Sequence, residues 1–382
     1  MTPFSPRTRT PSLPSQEGDL DALAVVGRGA CTPLGLTAAA TWAEVRAGTT
    51  RFAETGVADA AGDPVRACSL PLLGSHASRI ERVAALLTEA VAECLGSTVA
   101  SELPEPLAVL LVLPAGATLE PVDAGPVCRA VRRVCPPGLE LALAEEETVR
   151  GGRAGLFRAL SAAGARLTRG TDAAVLVAAA DSRCDPASLS ILSEAHRTLG
   201  RTNPDGLLPG EGAGAALLAS ASHAQRRAWP AVAHVLAVAR ATEPHPARGD
   251  VPSGAEGLST AFRRLRTDPL AGTTRTDCVL SCQTGESAWE REFAYAYLRN
   301  DALMPEPLVI THLAASIGDA GAGTAAVHLA LAPDRLDALE SSVAGTSSEQ
   351  DLPARRGLLY GSASDGSVGA CVVERRLDEA HR

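Results

Sequence analysis

Short apolar segments recur along the chain, separated by turns rich in glycine and proline. They occupy residues 23–26, 108–113, 173–179, 213–219, 231–238, 278–281, 308–311, 358–362 and 369–374. Their lengths suit strands, and several are apolar at almost every position rather than at alternate ones. Between them lie segments with helical spacing, at 38–47, 78–95, 126–134, 154–168, 258–265, 288–298 and 323–331. Strands alternating with helices of these lengths predict an α/β fold whose sheet is covered on both faces. Residues 243–254, with three prolines, and residues 344–353 read as surface loops.

One recipe occurs twice. Gly151 to Leu167 is a glycine turn followed by an alanine-rich helix, and Gly318 to Leu331 repeats it in the second half. Aromatic residues make up 3% of the chain against 46% for all hydrophobic residues, so the core must be built from Ala, Val and Leu with backbones close together. Alanine-rich helices suit burial between two layers, where bulky side chains would not fit. These features predict a duplicated, five-layered αβαβα arrangement in which equivalent glycine turns meet near one cleft. The expected halves are 22–225 and 226–376, between an arm at 1–21 rich in Pro, Ser and Thr and a short tail at 377–382.

A formal net charge of −9 argues against a nucleic-acid footprint. No apolar run reaches the ~18 residues of a membrane span, and the arm lacks the apolar segment of a signal peptide. Nine cysteines, an odd count without framework spacing, are expected to be reduced thiols in a cytoplasmic protein. Cys278 and Cys282 lie close together but have no second Cys/His pair nearby, so they read as buried small hydrophobes rather than metal ligands. Cys128 and Cys135 read the same way, and no metal site is expected. Gly27-Arg28-Gly29 begins like a dinucleotide fingerprint, yet Thr32 takes the third glycine position and no acidic residue closes a second strand.

The most telling pattern is Gly151-Gly152-Arg153-Ala154-Gly155, running straight into an apolar helix through Leu156, Phe157, Leu160, Ala163 and Leu167. A glycine-flanked turn of this shape normally lifts one reactive side chain over a helix N-terminus. Here an arginine holds that place. Arginine stays protonated at any ordinary pH and cannot attack a carbonyl.

Val25-Val26-Gly27-Arg28-Gly29-Ala30-Cys31-Thr32-Pro33-Leu34-Gly35, followed by Trp42 and Gly48, resembles the opening of the β-ketoacyl-acyl-carrier-protein synthases. Asp205-Gly206-Leu207-Leu208-Pro209-Gly210-Glu211-Gly212-Ala213-Gly214-Ala215 resembles their DGFVPGEGAGA segment and is the most specific match. Residues 172–182 are similar to the strand that follows their nucleophile helix. These anchors span Leu23 to Glu374. The resemblance implies a thiolase-like fold, normally dimeric, acting on acyl chains held by a phosphopantetheine arm, with no cofactor of its own.

The resemblance also implies where catalytic groups should stand. The cysteine nucleophile of those enzymes falls on Arg153. Their HGTGT loop falls on Ser281-Cys282-Gln283-Thr284-Gly285, which contains no histidine. Their KSxxGHxxxAAG run falls on residues 314–323, where Asp319 replaces the histidine and Ala314 the lysine. The terminal GFGGxN loop falls on 362–369. A cation at a helix N-terminus opposes the dipole that would favour a thiolate, and an ionised Asp319 cannot donate to an oxyanion. Decarboxylative condensation is therefore not expected.

Arg153 and Asp319 are expected to face each other, either as an ion pair filling a retired cavity or, with Thr284, as an anion or substrate site. Cys282 and His312 form the alternative Cys/His pair, which would run transacylation or thioester hydrolysis through a relocated nucleophile. Cys31 is a weaker nucleophile candidate in a structural segment. Glu211, in a glycine-rich apolar turn, must be hydrogen-bonded and reads as a loop brace. His328 reads as core, and Glu286 and Glu292 as helix-start charges. The leading expectation is a non-condensing acyl-binding or partner subunit that meets acyl carrier protein or acyl-CoA and pairs as a homodimer or with an active ketosynthase. A relocated acyltransferase and a purely structural component are the alternatives.

Overall fold

The computed structural model describes residues 21–96, 102–103, 106–115, 119–246, 249, 251–272, 274–340 and 354–375. The arm except Asp21, the loop expected at 344–353 and the tail at 377–382 lie outside the described residues. The chain first forms β1 (Leu23–Cys31), α1 (Ala38–Arg46), the hairpin β2 (Ala53–Ala58) and β3 (Pro64–Ala67), and α2 (Arg79–Leu95). There follow β4 (Leu107–Pro114), α3 (Ala124–Arg132), β5 (Leu141–Ala142), β6 (Val149–Gly151), α4 (Gly155–Thr168) and β7 (Val175–Ser182). Then come α5 (Pro186–Glu194), β8 (Glu211–Ser220), α6 (Ala221–Arg226), β9 (Ala233–Thr242), α7 (Glu256–Arg266), β10 (Cys278–Ser281) and α8 (Ser287–Arg299). The chain closes through β11 (Ile310–His312), α9 (Ala314–Ile317), α10 (Thr324–Glu340), β12 (Arg355–Ser362) and β13 (Ser367–Arg375).

The continuous apolar strands explain the layering. Along β4, Val109, Leu111 and Leu113 enter one core with α2 and α3, while Ala108, Leu110 and Val112 enter another with α4. In the second half, Leu280 and Leu359 face that same central core, whereas Val279, Leu358 and Tyr360 face a third core with α7 and α8. Helices α4 and α10 touch strands of both halves. The result is five layers, αβαβα, with the two alanine-rich helices in the middle. Gly214 of β8 shows why small residues are needed there, since a Cβ on it would stand 2.2 Å from the Ala326 carbonyl carbon of α10.

The strand pairing repeats. In the first half β1 is antiparallel to β8, β8 is antiparallel to β7, β7 is parallel to β4, and β4 is parallel to β5 and β6. In the second, β9 is antiparallel to β13, β13 is antiparallel to β12, β12 is parallel to β10, and β10 is parallel to β11. The two halves join through a short antiparallel contact of β1 with β9, at Leu23–Val235 and its neighbours.

Elsewhere the structure extends the sequence pattern. Helix α10 runs through Pro333 to Glu340 instead of stopping at 331. A proline inside a helix costs about 3 kcal/mol, but Leu336 beyond it is buried, Asp334 pairs with Arg28, and Arg335 donates to Thr311. Strands β5 and β6 are two and three residues long, too short to leave a periodic signal. Helix α2 begins at a capping box, in which the Ser78 side chain accepts from the Glu81 N–H and Glu81 accepts from the Ser78 N–H. All nine cysteines are free, and all but Cys135 are buried. Among the described residues no helix is long and apolar enough to cross a membrane, and no cluster of metal-ligating side chains forms.

Phe157 of α4 is fully buried in the central core, so Phe157→Ala should lower stability by about 3–5 kcal/mol. Leu298→Ala, at a position 71% exposed on α8, should stay within about 0.5 kcal/mol. Denaturant midpoints of the two variants check the layering.

Candidate functional site

Several strands end in one place. Gly151 ends β6, Ser182 ends β7, Ser281 ends β10 and Ser362 ends β12. The carboxyl ends of parallel strands are where open α/β sheets present ligands, because the chain must turn there into loops and helix N-termini. Arg153 stands in the turn from β6 into α4, which starts without a side-chain cap.

Arg153 is 4% exposed, and its guanidinium is fixed from three directions. Its Nε donates to the Ser362 carbonyl at 3.0 Å, its Nη1 donates to Asp319 Oδ2 at 3.2 Å, and its Cζ lies 4.5 Å from the centre of the Trp289 ring. Asp319 Oδ2 is shared with Arg183 Nη1 at 2.9 Å, and Oδ1 accepts from the Gly321 N–H at 2.9 Å. The Asp319 backbone is pinned as well, its N–H donating to the Leu208 carbonyl at 2.8 Å. That contact needs two glycines: Gly318 adopts a φ of +74°, and a Cβ on Gly210 would stand 2.0 Å from the Ile317 carbonyl oxygen.

Burial alone would push the Asp319 carboxyl up. Arg183 and Arg153, with the Gly321 N–H and Arg197, outweigh it and hold the carboxyl below the usual carboxylate range. Asp319 is therefore an acceptor at neutral pH and gives an oxyanion nothing to bind.

Two spaces adjoin Arg153. One is a pocket of about 70 Å³, lined by the backbone of Gly151 and Gly152 and by Arg79, Arg153, Asp181, Arg183 and Arg197, with Asp365 also present. The other is a chamber of about 10 Å³ against Cys282, Trp289, Glu292, Tyr360 and Ser362, with room for roughly one water. Neither matches the roughly 300 Å³ or more that encloses a substrate-sized molecule.

The other expected residues are placed differently. Ser281 donates to the Tyr360 hydroxyl at 2.9 Å and is buried. Thr284 donates to Glu286 at 2.8 Å and does not line the pocket beside Arg153. Glu286, at the N-cap of α8, in turn takes both arms of Arg197 and the Trp289 Nε1–H, so it is a helix-start charge that is also a buried partner. Cys282 lies in the small chamber, where burial pushes its thiol up, with Arg153 opposing and Asp319 adding. His312 is exposed at the end of β11, and no hydrogen bond joins it to Cys282 among the described residues. A different imidazole, His328, donates through Nε2 to the Ser281 carbonyl at 2.9 Å. Burial holds this ring neutral, its pKa brought down to about 3. Cys31 is buried, and burial pushes its thiol up to about 12. Glu211 is fully buried and accepts from Ser182 Oγ at 2.6 Å, the Leu70 N–H and Arg82.

Arg79, Asp181, Arg183, Arg197 and Trp289 were not legible as site residues. Asp181-Ser182-Arg183, charged at the end of an otherwise apolar strand, is the signal that could have marked two of them.

Solved structures supply the comparison. A chain from a type II PKS acyl-carrier protein in complex with its ketosynthase bound to the hexaketide matches with a TM-score of 0.74 and 14% identity, covering 94% of this chain and 100% of that one. This chain has the ketosynthase fold. The ishigamide ketosynthase/chain length factor shares it at a TM-score of 0.67 and 22% identity, over 93% of this chain and 99% of that one. A β-ketoacyl synthase from Burkholderia phymatum does so at 0.67 and 13%, over 94% and 100%. No protein-family model and no curated protein sequence matches the chain. On the ketosynthase fold, the turn at Arg153 and the loop at Asp319 are brought into direct contact.

Asp319→Ala would leave the buried Arg153 and the half-buried Arg183 without their shared anion, at a cost of about 3–5 kcal/mol. Arg153→Met, which leaves the Asp319–Arg183 pair, should cost less, and denaturant unfolding ranks the two. A second test concerns Glu292, whose pKa burial raises to about 7, with Glu243 adding and Arg153 opposing. As pH rises from the ordinary value of 4.5 toward 7, the unfolded chain releases a proton that the folded chain keeps. The contribution of this group is thus complete below that window and falls through it. Glu292→Gln should melt higher than the parent at pH 8 and lose that advantage toward pH 5.

Proposed function

We propose that this chain is a non-condensing ketosynthase-fold subunit of fatty-acid or polyketide type, acting beside an active ketosynthase and its acyl carrier protein. The observation that carries the reading is Arg153. A permanently charged guanidinium, pinned by the Ser362 carbonyl, Asp319 and Trp289, fills the position that the resemblance assigns to a cysteine nucleophile. Asp319, held ionised, takes the position of a histidine and would repel the carboxylate of a malonyl unit.

The small spaces beside Arg153 favour a partner role over enclosure of a long acyl chain. Two of the solved structures lend the partners their chemistry: one holds an acyl-carrier protein with its ketosynthase, and the other is a ketosynthase/chain length factor. A heterodimer would place this subunit beside a functioning site, whereas a homodimer would leave it as an acyl-binding protein. The relocated-nucleophile reading draws little support, since the Cys282 thiol is buried and its pKa is raised, and His312 is exposed.

The isolated chain should release no carbon dioxide from malonyl-carrier protein, and native mass spectrometry of co-expressed material should find it paired with a ketosynthase. Turnover by the isolated chain that survives Arg153→Ala would sink this reading. So would a covalent acyl adduct, formed from an acyl thioester and lost on Cys282→Ser.

A further inference from the structure

The pocket beside Arg153 is lined by four arginines whose charges are not fully matched in its buried part. Arg79 pairs with Asp181 at 2.7 Å and Arg197 pairs with Glu286 at 3.0 Å. Arg153 and Arg183, however, share the single carboxylate of Asp319. One positive charge is thus in excess. Two of the N–H-bearing atoms on this pair, Arg153 Nη2 and Arg183 Nε, are buried and have no hydrogen-bond partner among the described residues. A buried donor left unmade is costly, and a charged one more so. Asp365 also lines the pocket, but it is exposed and accepts from the Ser367 N–H within its own turn. Glu292 lines the small chamber on the far side of Arg153 and holds its proton up to about pH 7.

We infer that this pocket binds one oxyanion, the carboxylate or phosphate end of a molecule whose remainder lies outside. Arg153 and Arg183 supply the unmatched charge and Arg79 and Arg197 line the flanks, while Gly151 and Gly152 form part of the wall. At about 70 Å³ the pocket accepts a head group and excludes a chain, which fixes the ligand class by size as well as by sign. The site needs no nucleophile and no turnover, so it stands or falls separately from the non-condensing role.

The test is calorimetric titration of the full chain with inorganic phosphate, and separately with acetate, at constant ionic strength and pH 6.0, where Glu292 keeps its proton, with chloride as the control. Saturable binding of either probe is expected, and the tighter of the two identifies the head group. Arg183→Gln should weaken it by about tenfold or more, as expected for loss of a charge-assisted contact in a buried site. Should that variant fail to fold, Asp365→Asn at the exposed edge keeps the test alive. Removing that negative charge should tighten binding by about two- to fivefold. Chloride reproducing the heat, or binding unchanged in both variants, would overturn the assignment.

Discussion

Asp319 is one carboxylate serving two arginines in the buried centre of the molecule, and much of the site's geometry follows from it. Its two oxygens tie the turn before α4, the loop after β7 and the turn before α10 to a single point. Those three segments come from both halves of the duplicated fold. In a low-dielectric interior such charges cannot be left alone, so each segment is held where its partner requires. The close backbone contact of Gly210 with Ile317 and Gly318 then sets Asp319 in place from behind.

This arrangement also accounts for how a cation is held at the start of α4. A thiolate at the start of α4 would draw on the helix dipole and on neighbouring donors. A guanidinium there opposes the dipole and must find its own anion, which Asp319 supplies. The guanidinium at one position therefore depends on the carboxylate at the other, which it shares with Arg183. Trp289 closes the arrangement by stacking on the guanidinium, and its own N–H is satisfied by Glu286.

The layers were legible because the strands carry no polar alternation. A run such as Leu107–Pro114 can only be buried on both faces, and the alanine-rich segments can only sit between sheets. The glycine turn before Arg153 and the Gly318-Asp319 turn were legible too, since local spacing and the family resemblance both mark them. Arg79, Arg183 and Arg197 were not. Arg79 and Arg197 lie in segments without a local motif, Arg183 is marked only by the charged end of β7, and their meeting depends on strand ends converging from distant parts of the chain. Thr284 shows the reverse error: its segment was placed correctly, but its hydroxyl turns to Glu286, a contact set by side-chain packing that spacing does not encode.

Filling space alone would not require this cluster. A void beside α4 could be closed by leucine or methionine, which need no partners, and replacing buried ion pairs by apolar groups of similar volume is often neutral or stabilising. A cluster of two arginines on one aspartate is a poorer filler, because it buries a surplus charge and leaves donors without acceptors. Those features are unfavourable for stability alone and favourable for holding an anion. The physical cost of the surplus cation is thus the strongest argument that an anion belongs at this centre.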